Sequence, residues 1–199
     1  ETIDDDLAKT LSDVYFTELE KRIQRRNDAL LIDKLPLNIL SIPLIKKVFP
    51  GAKFILALRH PLDCVLSCWM QNFKLNQAMA NMADLDRTVD FYCTAMEILE
   101  LCKQRYQLDI HQIRYEDLVV DFTGNISELL TFLDLTWEEQ LKGYQKTAIA
   151  RGKINTPSYS QVIKPIYDSA AYRWKKYEKN LLPYKKRLAI WAEAYGYSL

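Results

Sequence analysis

Phe54-Ile55-Leu56-Ala57-Leu58-Arg59-His60-Pro61-Leu62-Asp63-Cys64-Val65-Leu66-Ser67-Cys68-Trp69 decides the fold. An apolar run of strand length ends at Arg59, Pro61 opens a helical pattern, and Ser67 stands eight residues beyond the arginine. Proline suits a first helical turn, where its missing N–H costs nothing. The stretch therefore reads as strand, turn and helix, with a cation and a hydroxyl at the junction. A helix start offers unbonded backbone N–H groups and the positive end of the dipole, so such a junction suits an anion such as phosphate.

Outward from this junction the pattern repeats. Ala29–Asp33 is a short apolar run suited to a buried strand, and Lys53–Leu58 is a second. Ile110–Arg114 is a third, ending in Tyr115-Glu116-Asp117. Between them lie helical patterns: Asp4–Gln24 with Leu7, Leu11, Val14, Tyr15 and Leu19; Leu37–Val48, stopped by Phe49-Pro50-Gly51; Pro61 to about Asn72; and Leu85–Tyr106. Asn125–Leu133, Thr136–Thr147, Ser169–Lys179 and Leu182–Tyr195 are helical as well, while Arg151–Lys164 reads as loop. Short apolar strands alternating with helices predict an α/β domain, a parallel sheet flanked by helices. Ligands of such sheets bind beyond the carboxyl ends of strands, where Lys34, Arg59 and Tyr115 all fall.

Composition narrows the function. The chain has 199 residues, enough for one domain with a core, and its 49% hydrophobic and 27% charged residues are ordinary for a globular protein. A formal net charge of +1 argues against a general nucleic-acid binder, so any anion site is local. No apolar run is long enough to predict a transmembrane helix, and no membrane partner is expected. The acidic start, Glu1 to Asp6, does not resemble a signal peptide. Cys64, Cys68, Cys93 and Cys102 have no histidine at metal-ligand spacing, which makes a metal site unexpected. Reduced, mostly buried thiols are the expectation, pointing to the cytoplasm.

Each candidate residue has a plain alternative. The guanidinium of Arg59 matches phosphate oxygens, against a surface arginine at a strand end. Ser67 lies roughly 10 Å along the helix from its start, and on composition alone a serine bonded to the preceding turn is the simpler expectation. Lys34 is held extended before Leu-Pro and could neutralise a leaving phosphate, or be solvated. Tyr115 is an aromatic wall for a base or a core tyrosine. Arg151-Gly152-Lys153 with Thr156, Ser158, Ser160 and Lys164 is a basic, hydroxyl-rich loop of the sort that covers anions, or a solvated one. His60 reads as a helix-start residue rather than a base, and His111 as structural. Arg173-Trp174-Lys175-Lys176 reads as a packed tryptophan with a solvated charged face.

Taken together, these segments resemble a known family. Arg59-His60-Pro61-Leu62-Asp63-Cys64-Val65-Leu66-Ser67 is similar to the 3′-phosphate-binding motif of sulfotransferases that use 3′-phosphoadenylyl sulfate (PAPS). Ile32-Asp33-Lys34-Leu35-Pro36, Arg114-Tyr115-Glu116-Asp117-Leu118 and Thr156-Pro157-Ser158-Tyr159-Ser160-Gln161-Val162, with Pro165-Ile166-Tyr167, resemble further family segments in the same order. Arg173-Trp174 with Tyr177-Glu178 looks like the segment that follows in bacterial members, which are often fused to tetratricopeptide repeats. Such repeats upstream are therefore an expectation. The resemblance covers residues from about 29 to 199, after a helical lead-in over 1–28, and implies a single, partial P-loop NTPase-like sulfotransferase domain.

The resemblance implies roles. Arg59 and Ser67 would bind the 3′-phosphate, Tyr115 would contact the adenine, and Arg151, Lys153, Ser158 and Lys164 would belong to the loop over the cofactor. Lys34 is similar in position to a lysine that stabilises the transition state in tyrosylprotein sulfotransferases. PAPS would be the co-substrate and adenosine 3′,5′-bisphosphate the product, with a hydroxyl or amine acceptor, small molecule or protein, and no metal.

One departure stands out. The family opens with a strand, a Gly-containing loop and a helix that grip the 5′-phosphosulfate, and a Pro-Arg-Ser-Gly-Thr-like string is expected there. The five glycines, Gly51, Gly124, Gly143, Gly152 and Gly196, are all isolated. The chain thus looks like the carboxyl-terminal part of the domain, with the catalytic base in an upstream segment, and need not be active alone. A non-catalytic nucleotide-binding or interaction module is the alternative. A P-loop kinase-type protein is disfavoured by the absence of a Gly-Lys-Ser/Thr string.

Overall fold

The computed structural model describes residues 3–23, 29–74, 76–144, 146, 166 and 168–199. They fall into two units, Glu1–Phe54 with Ala95–Asp109, and Ile55–Thr94 with Ile110–Leu199. No helix among them is long and apolar enough to cross a membrane.

In the first unit Asp4 starts helix α1 (Asp5–Glu20): its carboxylate accepts the Leu7 N–H at 2.8 Å, and Asp5 and Asp6 complement the dipole. The predicted helix over Leu37–Val48 is instead a 3₁₀ turn, Pro36–Ser41, followed by α2 (Ile42–Val48). Pro43 has no N–H to continue the ladder, so a new helix begins around it. Helices α1 and α2 meet through Tyr15, Phe16 and Phe49, whose rings lie edge to face at 5.2–5.8 Å, and through Lys47 and Asp5 at 2.7 Å.

The strand expected over Ala29–Asp33 does not form: the residues run on as irregular backbone, with Leu30 54% and Ile32 65% exposed. A strand exists only through its partner, and no described strand pairs with this segment. The Tyr15 hydroxyl donates to Asp33 at 2.9 Å, which fixes the chain just before Lys34.

The second unit carries the junction. Strand β1 (Phe54–Leu58) pairs with β2 (Ile110–Arg114) in a two-stranded parallel sheet, joined by α3 (Pro61–Trp69) and α4 (Leu85–Tyr106). The expectation of a fully buried β1 is corrected: burial alternates along it, from half-buried Phe54 and Leu56 to exposed Ile55 and Ala57, and only Leu58 is buried. One face is covered and the other is open. Helix α5 (Tyr115–Val120) follows β2 without a gap, then α6 (Phe122–Phe132), where the Asp121 carboxylate caps Gly124 N–H at 2.8 Å. A 3₁₀ turn, Arg173–Tyr177, leads directly into α7 (Glu178–Ala194), which runs on through Pro183 and replaces the two separate helices expected there.

Helix α3 is apolar almost all round, with Leu62, Val65 and Leu66 buried, and it packs on α7, whose buried residues are Leu181, Leu188, Trp191 and Ala192. The end of α7 then sends the chain back to the junction. Gly196 sits at φ 70°, its N–H bonded to Glu193 and the Tyr197 N–H bonded to Ala192 at 2.8 Å, the two bonds of a Schellman turn. The turn delivers Tyr197 and Ser198 onto His60. Nδ1 of His60 accepts the Leu62 N–H at 3.2 Å and its Nε2 donates to the Ser198 carbonyl at 3.0 Å, so the ring is neutral and caps α3. It stacks on Trp174 at 5.1 Å and meets Tyr172 and Tyr197 edge-on. The Glu116 carboxylate closes the cluster, accepting the His60 N–H at 3.0 Å and the Tyr197 hydroxyl at 2.9 Å.

Three expected outcomes test this cluster. Tyr197→Phe leaves a buried carboxylate oxygen unpaired and should destabilise the chain by about 1–3 kcal/mol in urea unfolding. Gly196→Ala, strained at positive φ and facing Arg114 Nη1 at 3.1 Å, should cost about 1–2 kcal/mol. The third concerns pH. Burial holds His60 below its ordinary value of 6.5, against the pull of the Ser198 carbonyl, Asp63 and Glu116, with Lys175 pushing the same way as burial. On acidification the unfolded chain takes the proton first. The stability His60 contributes is therefore complete above its unfolded value and declines as pH falls through the window beneath it. Unfolding midpoints at about pH 8 and 5.5 should show a loss that shrinks in His60→Asn, which keeps a capping oxygen. An equal loss in both proteins would assign the effect elsewhere.

Candidate functional site

Arg59 follows β1 directly, and its side chain is 24% exposed. Its guanidinium is bracketed on three sides. Nη2 donates to the Ala170 carbonyl at 2.5 Å, the Tyr115 ring lies 5.6 Å from the guanidinium carbon, and Asp63 Oδ1 lies 3.9 Å from Nη2. Nε is buried with no hydrogen-bond partner among the described residues. Tyr115 opens α5 at the end of β2, so two neighbouring parallel strands bring the cation and the ring together. A planar cation against an aromatic face, with one N–H unspoken for, suits an anion attached to a ring system.

The helix start contributes less than the sequence implies. Pro61 has no N–H, the Leu62 N–H is bonded to the His60 ring, and the His60 N–H is bonded to Glu116. The first amides of α3 are thus partly occupied within the protein, and recognition of an anion falls chiefly to the side chain of Arg59. Ser67 lies on α3 near its carboxyl end, half-buried. His60 is fully buried with both ring nitrogens engaged, which suits a cap and not a base. His111 stacks on Phe132 at 5.4 Å, a structural position.

Asp63 is wholly buried in the first turn of α3. Its Oδ1 accepts the Trp174 N–H at 2.7 Å, and its Oδ2 has no partner among the described residues. Burial pushes its carboxyl above the usual value of 3.8, opposed by the Trp174 N–H and by Arg59. Trp174 is buried between His60 and the Lys185 ammonium, 5.0 Å from its ring, while Arg173, Lys175 and Lys176 face solvent. Ala170 and Trp174 are thus both tied to the junction, one by Arg59 and one by Asp63, and Tyr172 between them takes a left-handed φ of 53°.

Cys64 and Cys68, one turn apart on α3, share a thiol hydrogen bond. It raises Cys64 well above the usual range, helped by burial, and lowers Cys68. None of the four cysteines forms a disulfide; Cys102 is buried, and Cys64, Cys68 and Cys93 are half-buried. Lys34 belongs to the first unit, exposed and following irregular backbone instead of a strand. Arg151, Lys153, Ser158 and Lys164 lie outside the described residues.

Residue patterns alone do not single out Asp63, Glu116 or Tyr197. The one signal is Asp63, an acid inside the otherwise apolar run Pro61–Leu66, where an ionised group needs a partner; Glu116, beside Asp117, carries none.

Comparisons with known proteins bear on the family and the fold. The chain is 32% identical over 181 residues to an uncharacterized protein of Aquifex aeolicus, covering 90% of this chain and 23% of that protein. It is 29% identical over 109 residues to cytosolic sulfotransferase 15 of Arabidopsis thaliana, covering 49% of this chain and 30% of the relative. Over 154 residues it is 27% identical to protein-tyrosine sulfotransferase 1 of Danio rerio, covering 72% and 41%. The chain therefore spans less than half the length of these relatives. Its fold matches the sulfotransferase domain from the curacin biosynthetic pathway with a TM-score of 0.70, at 23% identity, over 95% of this chain and 69% of that domain. Residues 3–139 match the model of the Sulfotransferase family, a span that holds β1, α3 and β2 with Arg59, Ser67 and Tyr115, and the chain belongs to that family.

Proposed function

We propose that the protein containing this chain is a sulfotransferase that moves a sulfuryl group from PAPS to a hydroxyl or amine acceptor, and that Arg59 holds the 3′-phosphate of the donor. The observation that carries the proposal is the Arg59 guanidinium at the end of β1, set against the Tyr115 ring with a buried Nε that has no partner among the described residues. A 3′-phosphate next to an adenine places an anion and an aromatic ring a short distance apart. That spacing corresponds to a guanidinium beside a tyrosine. Ser67 is the second phosphate ligand in this proposal, and the segment containing Arg151, Lys153, Ser158 and Lys164 covers the nucleotide.

In the reaction the acceptor oxygen or nitrogen bonds to sulfur as the bond from sulfur to the 5′-phosphate oxygen breaks. Negative charge grows on the departing phosphate, and an ammonium can offset it. Lys34 is assigned that role. The acceptor proton goes to a base. His60 is unsuited, since both its nitrogens are engaged inside the fold. Positioning is the rest of the work: the 3′-phosphate lies away from the reacting sulfur, so its binding energy serves to align the donor.

Calorimetric titration tests the binding half. Adenosine 3′,5′-bisphosphate should bind more tightly than AMP, and Arg59→Ala should weaken bisphosphate binding by about 1.5–3 kcal/mol, roughly 10- to 150-fold, while leaving AMP nearly unchanged. Equal affinity for the two nucleotides, or an unaffected Arg59→Ala, would remove the 3′-phosphate from this site. Tight bisphosphate binding with no sulfuryl transfer by the full-length protein to any acceptor would instead identify a nucleotide-binding module.

A further inference from the structure

Asp63 and Arg59 are an incomplete pair. They approach to 3.9 Å, too far for a hydrogen bond, and each keeps one buried polar atom without a partner among the described residues, Oδ2 on the acid and Nε on the base. Leaving such atoms unpaired is costly, so their persistence side by side points to a ligand-dependent role. Asp63 Oδ1 is committed to the Trp174 N–H. Oδ2 can therefore gain a proton without disturbing that bond.

The charged and titratable groups facing Asp63 are few. Arg59, His60 and Cys64 come from its own junction and helix, and Glu116 from the start of α5. Trp174, from the 3₁₀ turn, supplies only its N–H. Of these, Arg59 is the standing cation. An anion that lands on Arg59 brings negative charge to the group that keeps Asp63 ionised, and the carboxylate and the anion then compete for one guanidinium. Burial already disfavours the carboxylate, as its raised pKa reflects.

We propose that Asp63 is a positioning residue for anion recognition: it steadies the Arg59 guanidinium in the free protein, and its Oδ2 takes up one proton from solvent as an anion binds Arg59. The proposal rests on the assignment of a phosphate to Arg59 made above. It makes nucleotide affinity rise as pH falls through the range where Asp63 titrates in the complex. It also links the anion to the backbone at Trp174, since the same carboxyl group serves both.

The test is a proton count. The chain is titrated with adenosine 3′,5′-bisphosphate at about pH 6 in two buffers of different ionisation enthalpy, for the wild type and for Asp63→Asn. Asparagine keeps an acceptor for the Trp174 N–H, and the phosphates' own protons cancel between the two proteins. The wild type should take up more protons than the variant by a substantial fraction of one per site. Its affinity should also fall more steeply than the variant's between pH 6 and 8. Equal proton counts would overturn the proposal. Should Asp63→Asn not fold, difference infrared spectroscopy of the wild type decides: a protonated-carboxyl band should grow on binding, and its absence would overturn the proposal equally. An unaffected Arg59→Ala would defeat the phosphate assignment itself. Loss of binding in Arg59→Ala with equal proton counts would defeat only the role of Asp63.

Discussion

The second unit depends on the Glu116 carboxylate, which holds the His60 N–H with one oxygen and the Tyr197 hydroxyl with the other. These two bonds join three parts of the chain that are distant in sequence: the end of β1, the start of α5 and the tail after α7. A buried carboxylate with both oxygens engaged is demanding, because removing either partner leaves a desolvated charge acceptor unpaired. Arg114 adds to the clamp from the same strand end. It lies 4.1 Å above the Tyr197 ring and donates to the Gly196 carbonyl at 3.0 Å. The carboxyl-terminal residues are therefore structural parts of the junction.

This arrangement explains how a short strand and a nine-residue helix can present Arg59 in one orientation. His60 is immobilised through its ring, its N–H and its stacking on Trp174. The residue before it inherits that rigidity. Asp63 fixes the Trp174 backbone, and the Arg59 guanidinium meets the Ala170 carbonyl, so the segment leading into α7 is held at both ends. Preorganisation of this kind lowers the entropy cost of holding an anion at Arg59, the role proposed for it.

Much of this was legible in the sequence. Leu85–Tyr106 and Ile110–Arg114 carry clear periodic and apolar signals, and both elements form with those bounds. The strand–turn–helix junction at Arg59 is equally plain, because an apolar run, a proline and a helical pattern agree. Ala29–Asp33 has the same apolar signal and forms no strand, since pairing depends on a neighbour that local pattern cannot supply. The split at Pro43 and the merger across Asn180 show the usual weakness of boundaries, which hinge on single backbone hydrogen bonds. The unbonded amides expected at the start of α3 are partly occupied, because a histidine cap and a distant glutamate reach them first. Contacts more than 50 residues apart, such as Glu116 with His60, leave no local signature.

The most direct measurement is a crystal structure of the chain grown with adenosine 3′,5′-bisphosphate. The account predicts the 3′-phosphate against the Arg59 guanidinium and the Ser67 hydroxyl, the adenine beside Tyr115, and the clamp of Glu116, His60 and Tyr197 unchanged. A 3′-phosphate bound away from Arg59, or a nucleotide that binds only where this clamp is broken, would contradict it.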